Sequence, residues 1–120
     1  RGASRRETLQ LLAQAWALLF PSCWEEPFGY AVYEALLMGV PVVAFPIGGH
    51  AELISLTPSV QYLAEKYTAE AYIRSTRRVA EISIDEAVSL REAVRKAITS
   101  LHRTPLYQIL ETKKLLVKTL

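Results

Sequence analysis

Two carboxylates in an otherwise apolar stretch are the first candidates for chemistry in this chain. Glu26 and Glu34 are separated by seven residues, most of them aromatic or aliphatic. Ionised carboxylates accept hydrogen bonds and donate none, and burying one without a partner costs a large free energy. Both glutamates therefore need polar partners, which either water or a ligand could supply.

A long loop carries the first of these glutamates and leads to a predicted helix start. The loop runs from Pro21 to Gly29, longer than the roughly 2–6 residues that usually join a strand to a helix, and such surplus length is commonly functional. The backbone amides of Gly29, Tyr30 and Ala31 are predicted to be the unpaired donors of the helix that follows. The positive end of the helix dipole lies behind them, which suits phosphate or sugar oxygens.

The elements that must position these groups alternate between helix and strand. The capping box of Ser4 and Glu7 predicts a helix over residues 5–15. The apolar run at residues 17–20 predicts a short strand buried on both faces, and residues 40–45 predict a second strand after a helix over residues 30–38. Gly39 is a natural C′ residue for that helix, a position that is usually left-handed. This order is typical of an α/β domain with a mostly parallel sheet.

A second loop is predicted at the carboxyl end of the second strand, over residues 46–50, and contains Gly48 and Gly49. If the strands are parallel, both loops open on the same edge of the sheet, where open α/β sheets bind their ligands. The paired glycines would let backbone amides face the contents of the first loop. A Gly-Gly pair is also common in ordinary turns.

Simpler structural roles exist for each candidate. Glu34 is the one charge on a nearly all-apolar helix, so it lies either on a narrow solvent-facing strip or in a site. Glu26 could be an ordinary solvated loop residue. Aromatic residues such as Phe28 suit core packing as well as substrate stacking.

The second half of the chain is predicted to be mostly helical. Residues 60–63 could form a third strand, and helices are predicted over residues 68–80 and 84–101, the latter begun by the capping box of Ser83 and Glu86. A last helix is predicted from Pro105. It either packs on the domain or touches an anionic membrane surface; its basic residues are Lys113, Lys114 and Lys118.

Composition limits the possible classes of protein. With 120 residues, 51% hydrophobic and 22% charged, the chain matches a single folded domain. A net charge of +2 is too weak to indicate nucleic-acid binding. One cysteine excludes an internal disulfide, and no apolar run approaches the roughly 20 residues of a membrane span. We therefore expect a cytoplasmic protein, with peripheral membrane contact left open.

Several motifs together resemble the donor-binding signature of retaining glycosyltransferases of the two-Rossmann-domain GT-B type, family 4. The resemblance covers residues 2 to about 54. The motifs that carry it are FPS at 20–22, EPFG at 26–29, YEA at 33–35, MGVPVVA at 38–44, GG at 48–49 and ELI at 52–54.

The resemblance implies a role for each candidate residue. Glu34 would accept hydrogen bonds from the ribose of a nucleotide-diphospho-sugar, and Glu26 would be catalytic, facing the transferred hexose near a developing oxocarbenium ion. No metal and no cofactor are implied. The implied donor-binding set is completed by Phe28, Gly29, Tyr30, Ala31, Gly48 and Gly49.

The chain also departs from the family pattern. In the family, the basic residues that bind the diphosphate lie upstream, and a separate N-terminal domain binds the glycan, lipid or protein acceptor. We therefore expect a partial Rossmann-like α/β/α domain, with residues 1–66 as the donor-binding core and 67–120 as a helical region, inactive in isolation. Alternatives are a non-catalytic binding fragment and a related phosphorylase or epimerase.

Overall fold

A computed structural model describes residues 5–21 and 30–101 and shows a mixed α/β domain. The elements, in chain order, are α1 (Arg5–Gln14), β1 (Leu18–Phe20), α2 (Tyr30–Leu37), β2 (Val42–Ala44), α3 (Gly48–Ile54), a 3-10 helix (Pro58–Tyr62), α4 (Ala69–Ala80) and α5 (Ile84–Leu101). The predicted α/β class is confirmed. Ser4 and the helix predicted from Pro105 lie outside the described residues.

The sheet consists, in the described part of the chain, of β1 and β2 in parallel. The register pairs Leu18 with Val42 and Phe20 with Ala44. Both strands therefore end at the same sheet edge, as the sequence predicted. The core around them contains mainly aliphatic side chains from α2, β2 and α5.

The strand β1 is less buried than expected. The side chain of Leu19 is 49% exposed, whereas all three residues of β2 are buried. The prediction that β1 is covered on both faces is therefore wrong for the described residues. A short apolar run indicates a strand, but it does not reveal whether both faces have neighbours.

The third strand predicted at residues 60–63 is also wrong. The chain there forms the 3-10 helix. The side chain of Ser59 makes the hydrogen bonds to β2 that a neighbouring strand would otherwise make. The Val42 N–H donates to Ser59 Oγ at 2.8 Å, and this hydroxyl lies 3.3 Å from the Val42 carbonyl oxygen, to which it donates. A side chain thus satisfies both backbone groups of Val42.

Local capping explains why a helix forms at this point. Thr57 is the N-cap, and its side chain accepts a hydrogen bond from the Ser59 N–H at 3.1 Å. Pro58 follows at a position where its missing N–H and fixed φ suit a helix start. The chain then becomes extended at Leu63, and the Ala64 N–H donates to the Ala44 carbonyl at 2.9 Å.

Gly39 ends α2 in the left-handed conformation predicted for it, with φ of 78°. The Gly39 N–H donates to Leu36 and the Val40 N–H donates to Ala35, which is the Schellman pattern. A Cβ added at Gly39 would lie 2.6 Å from the Arg91 carbonyl oxygen. Glycine is therefore required here by both conformation and space.

Arg91 joins three segments that are far apart in sequence. Its guanidinium donates to the carbonyl oxygens of Ala15 at 2.7 Å, Met38 at 3.3 Å and Ala13 at 3.4 Å. These carbonyls belong to the C-terminal ends of α1 and α2, where the helix dipole favours a cation. A single side chain on α5 thus holds both helix ends.

The last two described helices match their predicted bounds closely. Thr68 is the N-cap of α4, and its side chain accepts from the Ala71 N–H. Ser83 and Glu86 form the reciprocal hydrogen bonds of a capping box, each at 3.1 Å. Among the helices of residues 5–21 and 30–101, none combines the length and apolar character needed to cross a bilayer.

Candidate functional site

The candidate site lies at the sheet edge where β1 and β2 end. Beyond β1 the chain passes through Pro21 into residues 22–29, which lie outside the described residues, and returns at the start of α2. Beyond β2 it passes through residues 45–47 into α3. Two helices thus begin next to the ends of two paired strands.

The second loop is shorter than predicted. Residues 46–50 were expected to form a loop, but α3 begins at Gly48, so both glycines belong to the first helical turn. Ile47 is the N-cap residue, and it provides no side-chain hydrogen bond to that turn. Gly48 has φ of 78°, which a residue with a Cβ adopts at a steric cost.

Glu34 lies on the second turn of α2 and is half-buried. The opposite face of the helix, with Val32, Ala35 and Leu36, is fully buried in the core. Ala31, one turn before Glu34, is exposed. Glu34 therefore lies on the outer strip of a core helix. This position fits both of its predicted roles, facing solvent and binding a ligand.

The remaining predicted site residues divide into two groups. Tyr30 begins α2, so its amide belongs to the helix start, as does that of Ala31. Glu26, Phe28 and Gly29 lie outside the described residues. The structure therefore places Glu34, Gly48 and Gly49 on the two helices that follow the strand ends, and leaves the proposed catalytic residue as a prediction.

His50 is a buried residue of this region that sequence analysis did not select. It follows the two glycines on α3, has 0% exposure, and packs its ring edge-on against Phe20 with 5.0 Å between ring centroids. The contact joins the last residue of β1 to the first turn of α3. A lone histidine carries no spacing signal, so the sequence offered no way to find it.

Tyr72 crosses from α4 to the same end of the sheet. Its hydroxyl donates to the Val43 carbonyl oxygen at 3.4 Å. Burial raises the pKa of the Tyr72 phenol above the ordinary 10.0, while a backbone hydrogen bond with Phe20 partly lowers that pKa. The phenol therefore stays protonated and links the ends of the two strands.

An aromatic group borders this edge beyond β2. Phe45 packs against Tyr67 edge-on at 5.0 Å and against Tyr72 at 4.9 Å between ring centroids. Phe45 is 9% exposed and Tyr67 is 52% exposed. Such ring pairs stabilise by about 0.5–1.5 kcal/mol beyond their buried area, so they fix the start of the segment that leads to Gly48.

The described residues contain no cluster of three or more histidine, cysteine or acidic side chains that could hold a metal ion. The polar groups that the structure places near the described edge include helix-start amides, the Glu34 carboxylate and the Tyr72 phenol. Such groups can hold hydroxyl and phosphate oxygens.

Comparison with known families gives a match over most of the chain. Residues 2–98 match the family model described as glycosyl transferases group 1. No curated protein and no solved structure matched the chain. The family match includes both strands, the helices that follow them and the Gly48–Gly49 pair. The chain therefore belongs to the group 1 glycosyltransferases.

Proposed function

We propose that this chain is the later part of the donor-binding domain of a retaining hexosyltransferase of the GT-B type, family 4. Family membership supports glycosyl transfer in general, with a sugar donor and an acceptor. The finer proposal is transfer of a hexose from a nucleotide-diphospho-sugar to a sugar, lipid or protein hydroxyl with retention at the anomeric carbon.

The observation that carries the proposal is the adjacency of two strand ends and two helix starts. Phe20 and Ala44 are partners in the register, so the chain leaving β1 and the chain leaving β2 start side by side. Helix starts present N–H groups and a positive dipole end. A diphosphate attached to a sugar is a ligand of matching charge.

Glu34 is proposed to accept hydrogen bonds from the ribose hydroxyls. Its half-buried position on α2 supports this role, because a partly desolvated carboxylate forms stronger hydrogen bonds than one in bulk water. The amides of Tyr30 and Ala31 precede it by one turn and are proposed to face the phosphate or sugar oxygens, together with those of Gly48 and Gly49.

Glu26 is proposed as the group that faces the transferred hexose. A carboxylate near the anomeric carbon stabilises the positive charge of an oxocarbenium-like transition state. Phe28 and Gly29 would supply the neighbouring amides. No resident metal or cofactor is included in the proposal, since the nucleotide-sugar is a substrate.

Calorimetric titration of the 120-residue chain with UDP and with GDP tests the donor site. We expect weak binding of one nucleotide, because none of the residues assigned to the donor site is a cation that could pair with the diphosphate. In Glu34→Ala the affinity should fall about 10–100-fold, the effect of losing hydrogen bonds to a charged group at about 1.5–3 kcal/mol. Glu81→Ala, which removes an exposed carboxylate on the C-cap of α4, should leave the affinity unchanged.

The result also separates the alternatives. Nucleotide binding that depends on Glu34 but gives no turnover supports the donor-binding fragment. Equal losses in Glu34→Ala and Glu81→Ala, or no binding at all, would contradict the donor site and favour an inert fragment. Binding of a hexose phosphate in preference to both nucleotides would favour the phosphorylase alternative. In a polypeptide that also carries the acceptor domain, proton NMR of the product's anomeric centre tests retention.

A further inference from the structure

A groove of about 460 Å³ lies between the 3-10 helix and the N-terminal half of α5. It shares no residue with the candidate site. Tyr62 and Leu90 form its buried floor, with exposures of 5% and 8%, and Ile82 is half-buried beside them. Asp85 and Glu86, both exposed, make one side acidic. The groove therefore suits an apolar segment with basic flanks.

A stripe of small side chains on α5 begins in this groove and continues toward the C-terminus of the helix. Ser89 and Ala93 line the groove itself. Ala97 and Ser100 follow at helical spacing, and α5 ends one residue later, at Leu101. Small side chains along one stripe allow a second helix to approach closely. The face thus forms a continuous track from the groove to the last described residue.

We propose that residues 105–120 of this chain occupy the groove by folding back along α5. The sequence predicts a helix from Pro105, and 16 residues of helix span about 24 Å. The distance along α5 from Leu101 back to Asp85 is also about 24 Å. A turn over residues 102–104 would give an antiparallel helical hairpin, so the segment has the length to reach the groove.

The apolar residues of the segment 105–120 would lie over the apolar floor of the groove. In an antiparallel hairpin with this turn, Val117 lies opposite Ser89, and Leu120 lies opposite Glu86. The last turn of the segment then covers the floor formed by Tyr62 and Leu90. Its predicted apolar stripe consists of Leu106, Ile109, Leu110, Leu116, Val117 and Leu120.

The charges of the two segments are complementary in the same register. The outer rim of the α5 face is basic near the C-terminus of the helix and acidic toward its N-terminus. Residues 105–120 have the opposite order, one glutamate followed by lysines. The register places opposite charges within about one helical turn of each other: Lys96 with Glu111, Glu92 with Lys114, and Asp85 with Lys118.

A disulfide between the two segments tests the proposal in the full chain. Cys23 is the one native cysteine, so Cys23→Ser gives a background without thiols. In that background, Ser89→Cys with Val117→Cys should form an intramolecular disulfide in high yield under mild oxidation, because the two Cα atoms would lie within the roughly 7 Å that a disulfide allows. Mass spectrometry after proteolysis identifies the linked peptides.

Val88→Cys with Val117→Cys is the matched control. Val88 is adjacent in sequence but is 62% exposed on a different face of α5 and does not line the groove. We expect at least a tenfold lower rate of cross-linking for this pair, and circular dichroism confirms that each variant is folded.

Three results would overturn the proposal. Equal rates for the two pairs would mean that the segment samples all faces of α5. Disulfides formed between chains instead of within one chain would assign the groove to a second copy. If the two pairs cross-link at equal rates and the protein also co-sediments with vesicles of anionic phospholipid, residues 105–120 would be assigned to a membrane surface.

Discussion

The two edges of the sheet are built in different ways. At the amino edge, where β1 and β2 begin, Arg91 holds two helix ends and Gly39 fits against the Arg91 backbone. At the carboxyl edge, two helices begin, and the N-cap of α3 provides no side-chain bond. The difference indicates that the amino edge provides stability, while the first turn of α3 at the carboxyl edge has no side-chain cap. We propose that the backbone donors of this edge serve a ligand.

The largest expected loss of stability follows from Gly39→Ala at the amino edge. A left-handed backbone costs a non-glycine residue about 1–2 kcal/mol, and a Cβ 2.6 Å from the Arg91 carbonyl oxygen adds overpacking of about 1–3 kcal/mol. Urea denaturation should therefore show a decrease of about 2–5 kcal/mol in the free energy of unfolding.

Gly39→Asn separates the two causes, because asparagine tolerates the left-handed region better but carries the same Cβ. Equal losses for Ala and Asn would identify the contact with Arg91 as the main cause. A loss below 1 kcal/mol for Gly39→Ala would contradict the close packing of this edge.

The next largest effect is expected for Arg91→Met, which keeps an extended side chain but removes the guanidinium. Three backbone carbonyls lose a charged donor, and hydrogen bonds to charged groups contribute about 1.5–3 kcal/mol. Since the site is partly exposed, we expect a loss of about 2–3 kcal/mol in total. Arg95→Met, at an exposed position on the same helix, should change stability by less than about 0.5 kcal/mol.

A smaller loss is expected for Ser59→Ala. The substitution leaves both backbone groups of Val42, the first residue of β2, without the buried hydroxyl that pairs with them. The Val42 N–H loses a short hydrogen bond at 2.8 Å, but the Val42 carbonyl loses only a long one at 3.3 Å, so we expect a total loss of about 1–2 kcal/mol. Thermal unfolding of Ser55→Ala, which removes an exposed hydroxyl bonded to Ala51, provides the comparison. If both variants melt at the same temperature, Ser59 does not act as the third strand's substitute.

The smallest effect is expected at the carboxyl edge, for Tyr72→Phe. The hydroxyl's bond to Val43 is long at 3.4 Å, so near pH 7 we expect a loss of at most about 1 kcal/mol. Because the pKa of folded Tyr72 is raised above 10.0, the unfolded chain ionises first as the pH rises. The residue's contribution is therefore present below about pH 10 and is lost as the pH rises through the folded pKa.

Urea denaturation at several pH values checks this sign. Wild type should lose its advantage over Tyr72→Phe as the pH rises above about 10 and through the raised folded pKa of Tyr72, while the other tyrosines, common to both proteins, cancel in the comparison. An advantage that stays constant or grows with pH would be inconsistent with a buried, protonated phenol.

Local signals predicted the parts of the fold that depend on neighbouring residues. The Ser83–Glu86 capping box fixed the start of α5, and Gly39 marked the end of α2, because both act within one helical turn. Parallel pairing of β1 and β2 also followed from the order of elements. These features need no information about distant residues.

Long-range contacts account for what the sequence did not predict. The segment at residues 60–63 resembles a strand, but the Ser59 side chain bonds to the edge of β2 and the chain forms a 3-10 helix. Arg91 bonds to carbonyls more than 50 residues away, and His50 is buried by Phe20 on another element. For the site, the sequence predicted the shared strand edge, while Glu26 remains a prediction.

The hydroxyl of Ser59 has a further consequence for how the protein behaves in concentrated solution. An uncovered strand edge is a template on which a strand of another molecule can add, which leads to aggregation. On the outer side of β2, Ser59 occupies both polar groups of Val42 and the Ala64 N–H occupies the carbonyl of Ala44. Strand addition is therefore blocked along this side of β2, because one small polar side chain and one backbone amide occupy the groups that an added strand would need.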